Sequence, residues 1–138
     1  MNEVLTERSG SILKVQLNRP GKKNAITTAM YVALAEILEK AGKDDATRVV
    51  LIHGAGDSFS AGNDLEDFVK NPPGPGDSPQ MRLFAALNAF DKPLVTAVHG
   101  FAVGIVTCTG VPSPIRWPRA FAASASKTAA RKIGLRFA

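Results

Sequence analysis

The sequence has little chemistry of the kind that metal sites or disulfides need: its 138 residues contain one cysteine, Cys108, and two histidines, His53 and His99. A single cysteine excludes an internal disulfide framework and is consistent with a reducing compartment. One cysteine and two distant histidines also give no spacing typical of metal ligands, so we expect no metal site.

Long apolar runs are missing too. The longest, such as residues 49–52, are far shorter than a membrane span. The N-terminal segment contains Glu3 and Glu7 and lacks the apolar core of a secretory signal. We therefore expect a cytoplasmic protein with no membrane-spanning segment, folded as one modest domain.

Acidic residues are absent from residues 106–138. Residues 1–105 carry 11 Lys/Arg and 12 Asp/Glu, a net charge of −1, whereas residues 106–138 carry six basic residues, a net charge of +6. The overall charge of +5 is therefore a property of one terminal segment rich in Ala, Arg, Ser and Pro. We divide the chain into a core, residues 1–105, and a basic tail, residues 106–138. The abrupt change of composition suggests a reading-frame change or an alternative terminal exon.

The pattern of apolar residues predicts an α/β arrangement without internal repeats. Alternating apolar and polar residues around Ser9-Gly10 indicate a β-hairpin, and the continuous apolar runs indicate strands buried on both faces. The predicted elements, in chain order, are a hairpin over residues 4–17, a helix over 27–42, a strand over 49–52, helices over 64–69 and 79–90, and a strand over 94–98.

Small residues follow both buried strands. The first loop, residues 57–65, reads Asp-Ser-Phe-Ser-Ala-Gly-Asn-Asp-Leu, and the second loop, residues 99–105, reads His-Gly-Phe-Ala-Val-Gly-Ile. Gly, Ala and Ser leave room for a ligand to approach backbone N–H groups. One N–H from each loop can then point at the same developing oxyanion, although either loop alone is also typical of an ordinary small-residue turn.

In this order and about forty residues apart, the two loops resemble those of the crotonase superfamily of enoyl-CoA hydratases and isomerases. The resemblance extends from Val4 to Ile105 and implies an α/β fold, a partial and truncated crotonase-like ββα spiral. It implies a coenzyme A thioester as substrate, with no further cofactor, whose enolate is stabilised by two backbone N–H groups. By this resemblance, the two oxyanion donors are those of Ala61 and Ile105.

The resemblance also assigns substrate-binding residues. Lys22, Asn24 and Ala25, with Lys23 between them, correspond to the loop that meets the adenine end of coenzyme A, where lysines attract nucleotide phosphates as point charges. A solvated basic turn is an equally good interpretation of that loop. The other assigned residues lie in the two loops: Ser60, Ala61, Gly62, Asn63, Asp64, Leu65 and Gly104.

The proton-transfer residues of the family are absent from the sequence. The hydratases use two glutamates to activate water; the first position falls at Cys108, and the second lies in a region that this sequence lacks or has replaced. Cys108 has no base beside it in the sequence, and we interpret it as an incidental thiol. His99 ends a strand, and we interpret it as a structural residue bonded to the backbone.

Three functions therefore stay open: an enoyl-CoA hydratase/isomerase-type enzyme that is incomplete in this chain, a non-catalytic acyl-CoA-binding or inactive fragment, and a polyanion binder acting through the basic tail. Nucleic acid is not the expected partner, because the charge excess is confined to one segment. Members of the family form homotrimers or hexamers through C-terminal helices. This sequence carries none of those helices, so we do not expect that assembly from it.

Overall fold

A four-stranded sheet forms the centre of the computed structural model, which describes residues 2–72, 74, 76 and 78–103. The strands are β1 (Val4–Ser9), β2 (Ile12–Leu17), β3 (Val49–Gly54) and β4 (Leu94–Ala97), in the spatial order β1-β2-β3-β4. The hairpin strands β1 and β2 are antiparallel, whereas β2, β3 and β4 are parallel. The proposed boundary at Ile105 and the basic tail lie outside the described residues.

Three helices connect or flank these strands: α1 (Thr28–Lys43), α2 (Leu65–Lys70) and α3 (Pro79–Ala89). Thr27 caps α1 by accepting a hydrogen bond from the N–H of Met30 at 3.2 Å, and Ser78 caps α3 in the same way. A hydroxyl at this position satisfies one of the N–H groups that the first helical turn leaves without a partner. The structure confirms the predicted α/β class and the predicted helices, with ends that differ by one or two residues.

The main core lies between one face of the sheet and the helices α1 and α3, which pack against each other. Its buried residues include Leu17, Val50, Ile52, Leu94, Tyr31 and Phe59. The opposite face of the sheet buries Leu51 and Ala97 beside the partly buried Ile12 and Val95. Apolar contacts on both faces confirm the prediction that the runs at β3 and β4 are strands buried on both sides.

This topology brings the two loops to one edge of the sheet. Strands β3 and β4 are adjacent and parallel, with Val50 opposite Leu94 and His53 opposite Ala97, so their carboxyl ends lie side by side. The first loop follows β3 and the second loop follows β4. In open α/β sheets this edge is where ligands bind. Across the described residues, none of the helices combines the length and apolar character that crossing a membrane requires.

Candidate active site

The first loop pairs with the second loop through its backbone. Ser60 and Ala102 form an isolated parallel bridge, in which the Ser60 N–H donates to Phe101 O at 3.0 Å and the Val103 N–H donates to Ser60 O at 3.0 Å. A Cβ on Gly62 would lie 3.1 Å from Val103 O, and the φ of +90° at Gly62 already favours glycine. The structure therefore brings the two predicted loops into direct contact.

On its other side, the first loop pairs with the segment that precedes α1. The Ile26 N–H donates to Gly62 O at 2.7 Å, and the Asp64 N–H donates to Ile26 O at 2.9 Å. The N–H of Ala61 donates to Lys23 O at 2.8 Å. The loop thus has hydrogen-bonded backbone neighbours on both sides.

These bonds determine which N–H groups of the first loop are without an acceptor. The sequence predicts Ala61, but its N–H already has the Lys23 carbonyl as an acceptor. Within one trans peptide unit the C=O and the N–H point in opposite directions. Since Gly62 O and Asp64 N both face Ile26, the N–H of Asn63 faces away from Ile26, and it has no acceptor among the described residues. Asn63 therefore offers the N–H that a ligand can use without breaking an existing hydrogen bond.

The side chain of Asn63 is held by α1. The hydroxyl of Tyr31 donates a hydrogen bond to Asn63 Oδ1. Tyr31 itself is 1% exposed, and burial raises the pKa of its phenol to about 12. The phenol therefore stays neutral at physiological pH and acts as a donor.

The carboxylates near Asn63 serve as anchors. Asp64 accepts the N–H of Asp67 at 3.1 Å as the N-cap of α2, and it pairs with Arg19 Nη1 at 2.9 Å. Arg19 Nε also pairs with Glu3 at 2.9 Å. The Asp67 N–H and the Arg19 guanidinium hold the pKa of Asp64 below its usual range. Asp64 therefore stays ionised and paired, which does not suit a residue that must transfer protons.

Asp67 has a similar role one turn later. Its carboxylate accepts the backbone N–H and the hydroxyl of Thr28, both at 2.6 Å, and also Asn71 Nδ2 at 3.0 Å. The Thr28 hydroxyl and N–H lower the pKa of Asp67. The contact fastens α2 to the first turn of α1, where a negative charge is also favoured by the helix dipole.

Two of the predicted substrate-binding side chains point into the protein. Asn24 is 0% exposed; its Oδ1 accepts the Arg19 N–H at 2.9 Å, and its Nδ2 donates to Ala55 O and Ser58 O at 2.8 and 2.7 Å. The Ser60 hydroxyl donates to Asn24 O at 2.9 Å and accepts the Gly62 N–H at 3.1 Å. Both side chains are engaged in hydrogen bonds within the loops, so their predicted contact with the substrate stays a prediction.

The other predicted residues lie at the surface of the same region. Lys22 is exposed with its Nζ 3.7 Å from Glu66, and the half-buried Ala25 offers its carbonyl to Arg19 Nη1 at 2.6 Å. The Nζ of Lys23 lies 4.2 Å from the centre of the Phe101 ring, a cation–π contact between the turn at residues 22–25 and the second loop. Leu65 begins α2 with its side chain in the open.

His99 is a structural residue, as the sequence predicts: it is buried and its Nε2 lies 3.0 Å from Gly56 O. Gly104, Ile105 and Cys108 lie outside the described residues, so the second donor stays a prediction. In the part of the chain that the structure describes, no three His, Cys, Asp or Glu side chains are grouped closely enough to hold a metal ion.

Sequence reasoning missed Tyr31 and Arg19. Tyr31 lies on the buried side of α1 with Met30, Leu34 and Leu38, where an aromatic ring is simply part of the core pattern. A signal was nevertheless present, because Tyr31 is the only tyrosine in the chain and a buried phenol needs a hydrogen-bond partner. Arg19 lies two residues after β2, and one charged residue there gives no indication of two acidic partners.

Comparison with known proteins agrees with this geometry. Residues 7–105 match the family model described as enoyl-CoA hydratase/isomerase. The human enoyl-CoA delta isomerase 2 is 42% identical over 116 residues, which cover 78% of this chain and 29% of that protein. The 2,3-dehydroadipyl-CoA hydratase of Escherichia coli is 36% identical over 105 residues, covering 75% of this chain and 41% of that protein.

Solved structures show the same relationship. OdaA of Pseudomonas aeruginosa is similar with a TM-score of 0.72 and 48% identity, covering 78% of this chain and 43% of that one. An enoyl-CoA hydratase/carnithine racemase of Magnetospirillum magneticum gives a TM-score of 0.71 and 43% identity over 76% of this chain and 41% of that one. The chain thus spans less than half the length of each of these four relatives. By its sequence match over residues 7–105 and its fold, it belongs to the enoyl-CoA hydratase/isomerase family.

Proposed function

We propose that this chain binds the thioester of an acyl-CoA and polarises its carbonyl group with the backbone N–H of Asn63. The observation that carries the proposal is that N–H itself: it lacks an acceptor among the described residues, and its neighbours Gly62 and Asp64 are fixed by hydrogen bonds to Ile26 at 2.7 and 2.9 Å. A donor held in place before the ligand binds is the basis of oxyanion stabilisation. An amide of the second loop, assigned to Ile105, is the second donor.

The names of the relatives support the substrate class. Human enoyl-CoA delta isomerase 2 and the E. coli 2,3-dehydroadipyl-CoA hydratase carry names that describe different reactions of unsaturated acyl-CoA compounds. What the names of these two proteins share is a coenzyme A thioester whose acyl group contains a double bond. Polarisation of that carbonyl makes the neighbouring carbons more acidic or more electrophilic, so one oxyanion site suits both hydration and isomerisation.

Proton transfer requires groups beyond those described. Three carboxylates follow Asn63 within four positions: Asp64 and Asp67 are ionised and engaged as anchors, and the exposed Glu66 lies 3.7 Å from Lys22 Nζ. We therefore assign thioester binding and carbonyl polarisation to the core, residues 1–105, and leave the acid/base step to residues outside it.

The direct test compares binding of an enoyl-CoA thioester with binding of the matching coenzyme A thioether, which lacks the carbonyl oxygen. We expect the chain to prefer the thioester. Asn63→Pro removes the free N–H together with the side chain that accepts the Tyr31 hydroxyl, whereas Asn63→Ala removes the side chain alone. Compared with Asn63→Ala, Asn63→Pro should lose most of that preference, about threefold to tenfold in Kd, because one neutral hydrogen bond contributes about 0.5–1.5 kcal/mol. Its affinity for the thioether should not change.

Ala61→Pro is the matched control, since it removes an N–H that already has a partner. We expect it to destabilise the fold through loss of the bond to Lys23 O, with the thioester preference retained in the folded fraction. If a folded Ala61→Pro variant loses the preference and Asn63→Pro keeps it, Ala61 is the donor that the sequence predicts. Equal affinity of the unmodified chain for thioester and thioether would contradict the proposed function.

A further inference from the structure

The side-chain amide of Asn63 has a hydrogen-bonded oxygen, whereas its nitrogen has no acceptor among the described residues. Its Oδ1 accepts the hydroxyl of Tyr31. Its Nδ2 has no acceptor within the described ranges 2–72 and 78–103, and the residue is exposed. An amide whose oxygen is held in this way directs its two N–H bonds towards the opposite side.

Tyr31 fixes which end of the amide is open. A phenol in its neutral form can donate to Oδ1, and Tyr31 is a neutral phenol because burial raises its pKa to about 12. The hydroxyl belongs to a ring that is 1% exposed within the core, so the ring has little freedom to follow a rotating amide. The Asn63 side chain is therefore oriented by a rigid partner on α1.

Both the open Nδ2 and the free backbone N–H belong to Asn63, at the edge where the first loop contacts the second. We propose that the Nδ2 of Asn63 is an additional hydrogen-bond donor to the carbonyl oxygen of the bound acyl thioester, and that Tyr31 is the positioning residue that orients it. This inference rests on the proposed function. It adds to two backbone N–H groups a side-chain donor that depends on the pairing of Tyr31 with Asn63.

A purely structural role for the pair makes different predictions. If Asn63 only satisfies the buried phenol, its loss should change the unfolding free energy and leave the carbonyl of a bound thioester unaffected. A spectroscopic probe separates the two cases: the coenzyme A thioester of 4-dimethylaminocinnamic acid. Its conjugated chromophore absorbs at longer wavelength when the thioester oxygen accepts stronger hydrogen bonds, so the shift reports on the donors and not on the stability of the fold.

Asn63→Ala keeps the backbone N–H and removes the side chain, so we expect the red shift to become smaller without disappearing. Tyr31→Phe keeps the ring and removes the hydroxyl, and it should reduce the shift in the same direction, with about threefold weaker thioester binding. Asn63→Asp keeps the acceptor for Tyr31 but places a negative charge beside the carbonyl, which should give the weakest binding. Binding of the matching thioether should be equal in all variants.

The double variant tests whether Tyr31 acts through Asn63. Once Asn63 is alanine, Tyr31→Phe should have no further effect on the shift, although each change alone reduces it. The inference would be overturned if Asn63→Ala kept the full red shift, or if the double variant lost as much of the shift as the two single variants together. Either result would leave the proposed function intact. If the unmodified chain produces no shift and no preference for the thioester, the proposed function fails and this inference fails with it.

Discussion

The first loop and helix α2 are consecutive in the sequence, yet they are held in opposite ways. In the loop, Ser58, Phe59 and Ser60 are at most 1% exposed, and backbone hydrogen bonds fix the loop on both sides. In α2 no residue is buried, and Leu65 and Val69 are 77% and 79% exposed. The backbone that carries the candidate donor is thus fixed, whereas the apolar surface beside it is open.

Under the proposed function, a fixed donor beside an exposed apolar surface is useful. A carbonyl oxygen has the same size in every thioester, so its donors gain from a fixed position. Helix α2 is attached mainly through Asp64 and Asp67, which bind Arg19 and Thr28. These polar anchors leave the apolar side chains of α2 exposed, so they are free to contact a ligand.

The largest effect is expected when two phenylalanines, one in the first loop and one on α2 nine positions later, are compared. Phe59 in the loop is 0% exposed and Phe68 on α2 is 40% exposed. Phe59→Ala should lower the unfolding free energy by about 3–5 kcal/mol, whereas Phe68→Ala should lower it by less than about 1 kcal/mol. Urea denaturation followed by circular dichroism measures both. Similar losses for the two variants would show that α2 is as much a part of the cooperative core as the loop.

A second pair of variants concerns the contact between the two loops. Gly100 and Gly10 have nearly the same φ, +58° and +59°, but a Cβ on Gly100 would lie 2.0 Å from Asp57 O, whereas one on Gly10 meets nothing within 4 Å. Gly10→Ala should cost about 1–2 kcal/mol for its backbone conformation alone. Gly100→Ala should cost at least about 2 kcal/mol more, because the loops must separate.

The same urea measurements give this difference directly. Equal costs for Gly100→Ala and Gly10→Ala would mean that the loops move apart easily, and the fixed position of the first loop would then need another explanation. Loss of the thioester preference in a folded Gly100→Ala variant would agree with a site built from both loops.

The sequence was sufficient to predict the elements of the fold and the meeting of the two loops. Strand and helix patterns depend on local periodicity, and Thr27 and Ser78 occupy the helix caps that their hydroxyls favour. The adjacency of the loops followed from their positions after two buried strands, which the structure shows to be parallel neighbours.

The direction of individual N–H groups could not be predicted. Ala61 and Asn63 are two residues apart, and what distinguishes them is pairing with Lys23 and Ile26, about 37 positions earlier in the chain. The role of Asn24 is also long-range, because its partners Ala55 and Ser58 belong to another loop. Such contacts depend on the register of segments that lie far apart in sequence, which composition and periodicity do not specify.

Alkaline pH should weaken the support of the first loop through Tyr31. The folded-state pKa of about 12 is above the ordinary value of 10.0. The neutral phenol therefore contributes fully to the unfolding free energy below pH 10, and this contribution is lost as the pH rises through 12. The two-unit difference corresponds to about 2–3 kcal/mol of unfolding free energy. Urea denaturation at pH 9 and pH 12 should show this loss in the unmodified chain but not in Tyr31→Phe. The lysines titrate equally in both proteins, so the difference between them reports on Tyr31.

Since Tyr31 is the only tyrosine, absorbance of its phenolate checks the assignment independently. A phenolate that forms near pH 10 in the folded chain would mean that the hydroxyl is accessible to water, and the Asn63 side chain would then lack a rigid partner.

The smallest expected effect is a local response of α2 to acid. The pKa of Asp67 is lowered from its ordinary value of 3.8 by the Thr28 hydroxyl and N–H. For a lowered pKa the stabilising contribution is present above 3.8 and is lost as the pH falls through the folded-state value. Because α2 buries no residue, its amides should lose hydrogen-exchange protection between pH 6 and pH 3 while amides of the first loop keep theirs.

Asp67→Asn provides the control for that measurement. Asparagine retains an oxygen that can accept the Thr28 N–H but does not titrate, so the acid response of α2 should shrink to the part contributed by Asp64, whose pKa is also lowered. The informative comparison is between amides on the two sides of Asp64. If the Ile26 and Phe59 amides lose protection in parallel with those of Phe68 and Asn71, the loop and α2 open as one unit. Protection that is lost only beyond Asp64 would place the boundary between fixed and open structure at this residue, next to the candidate donor.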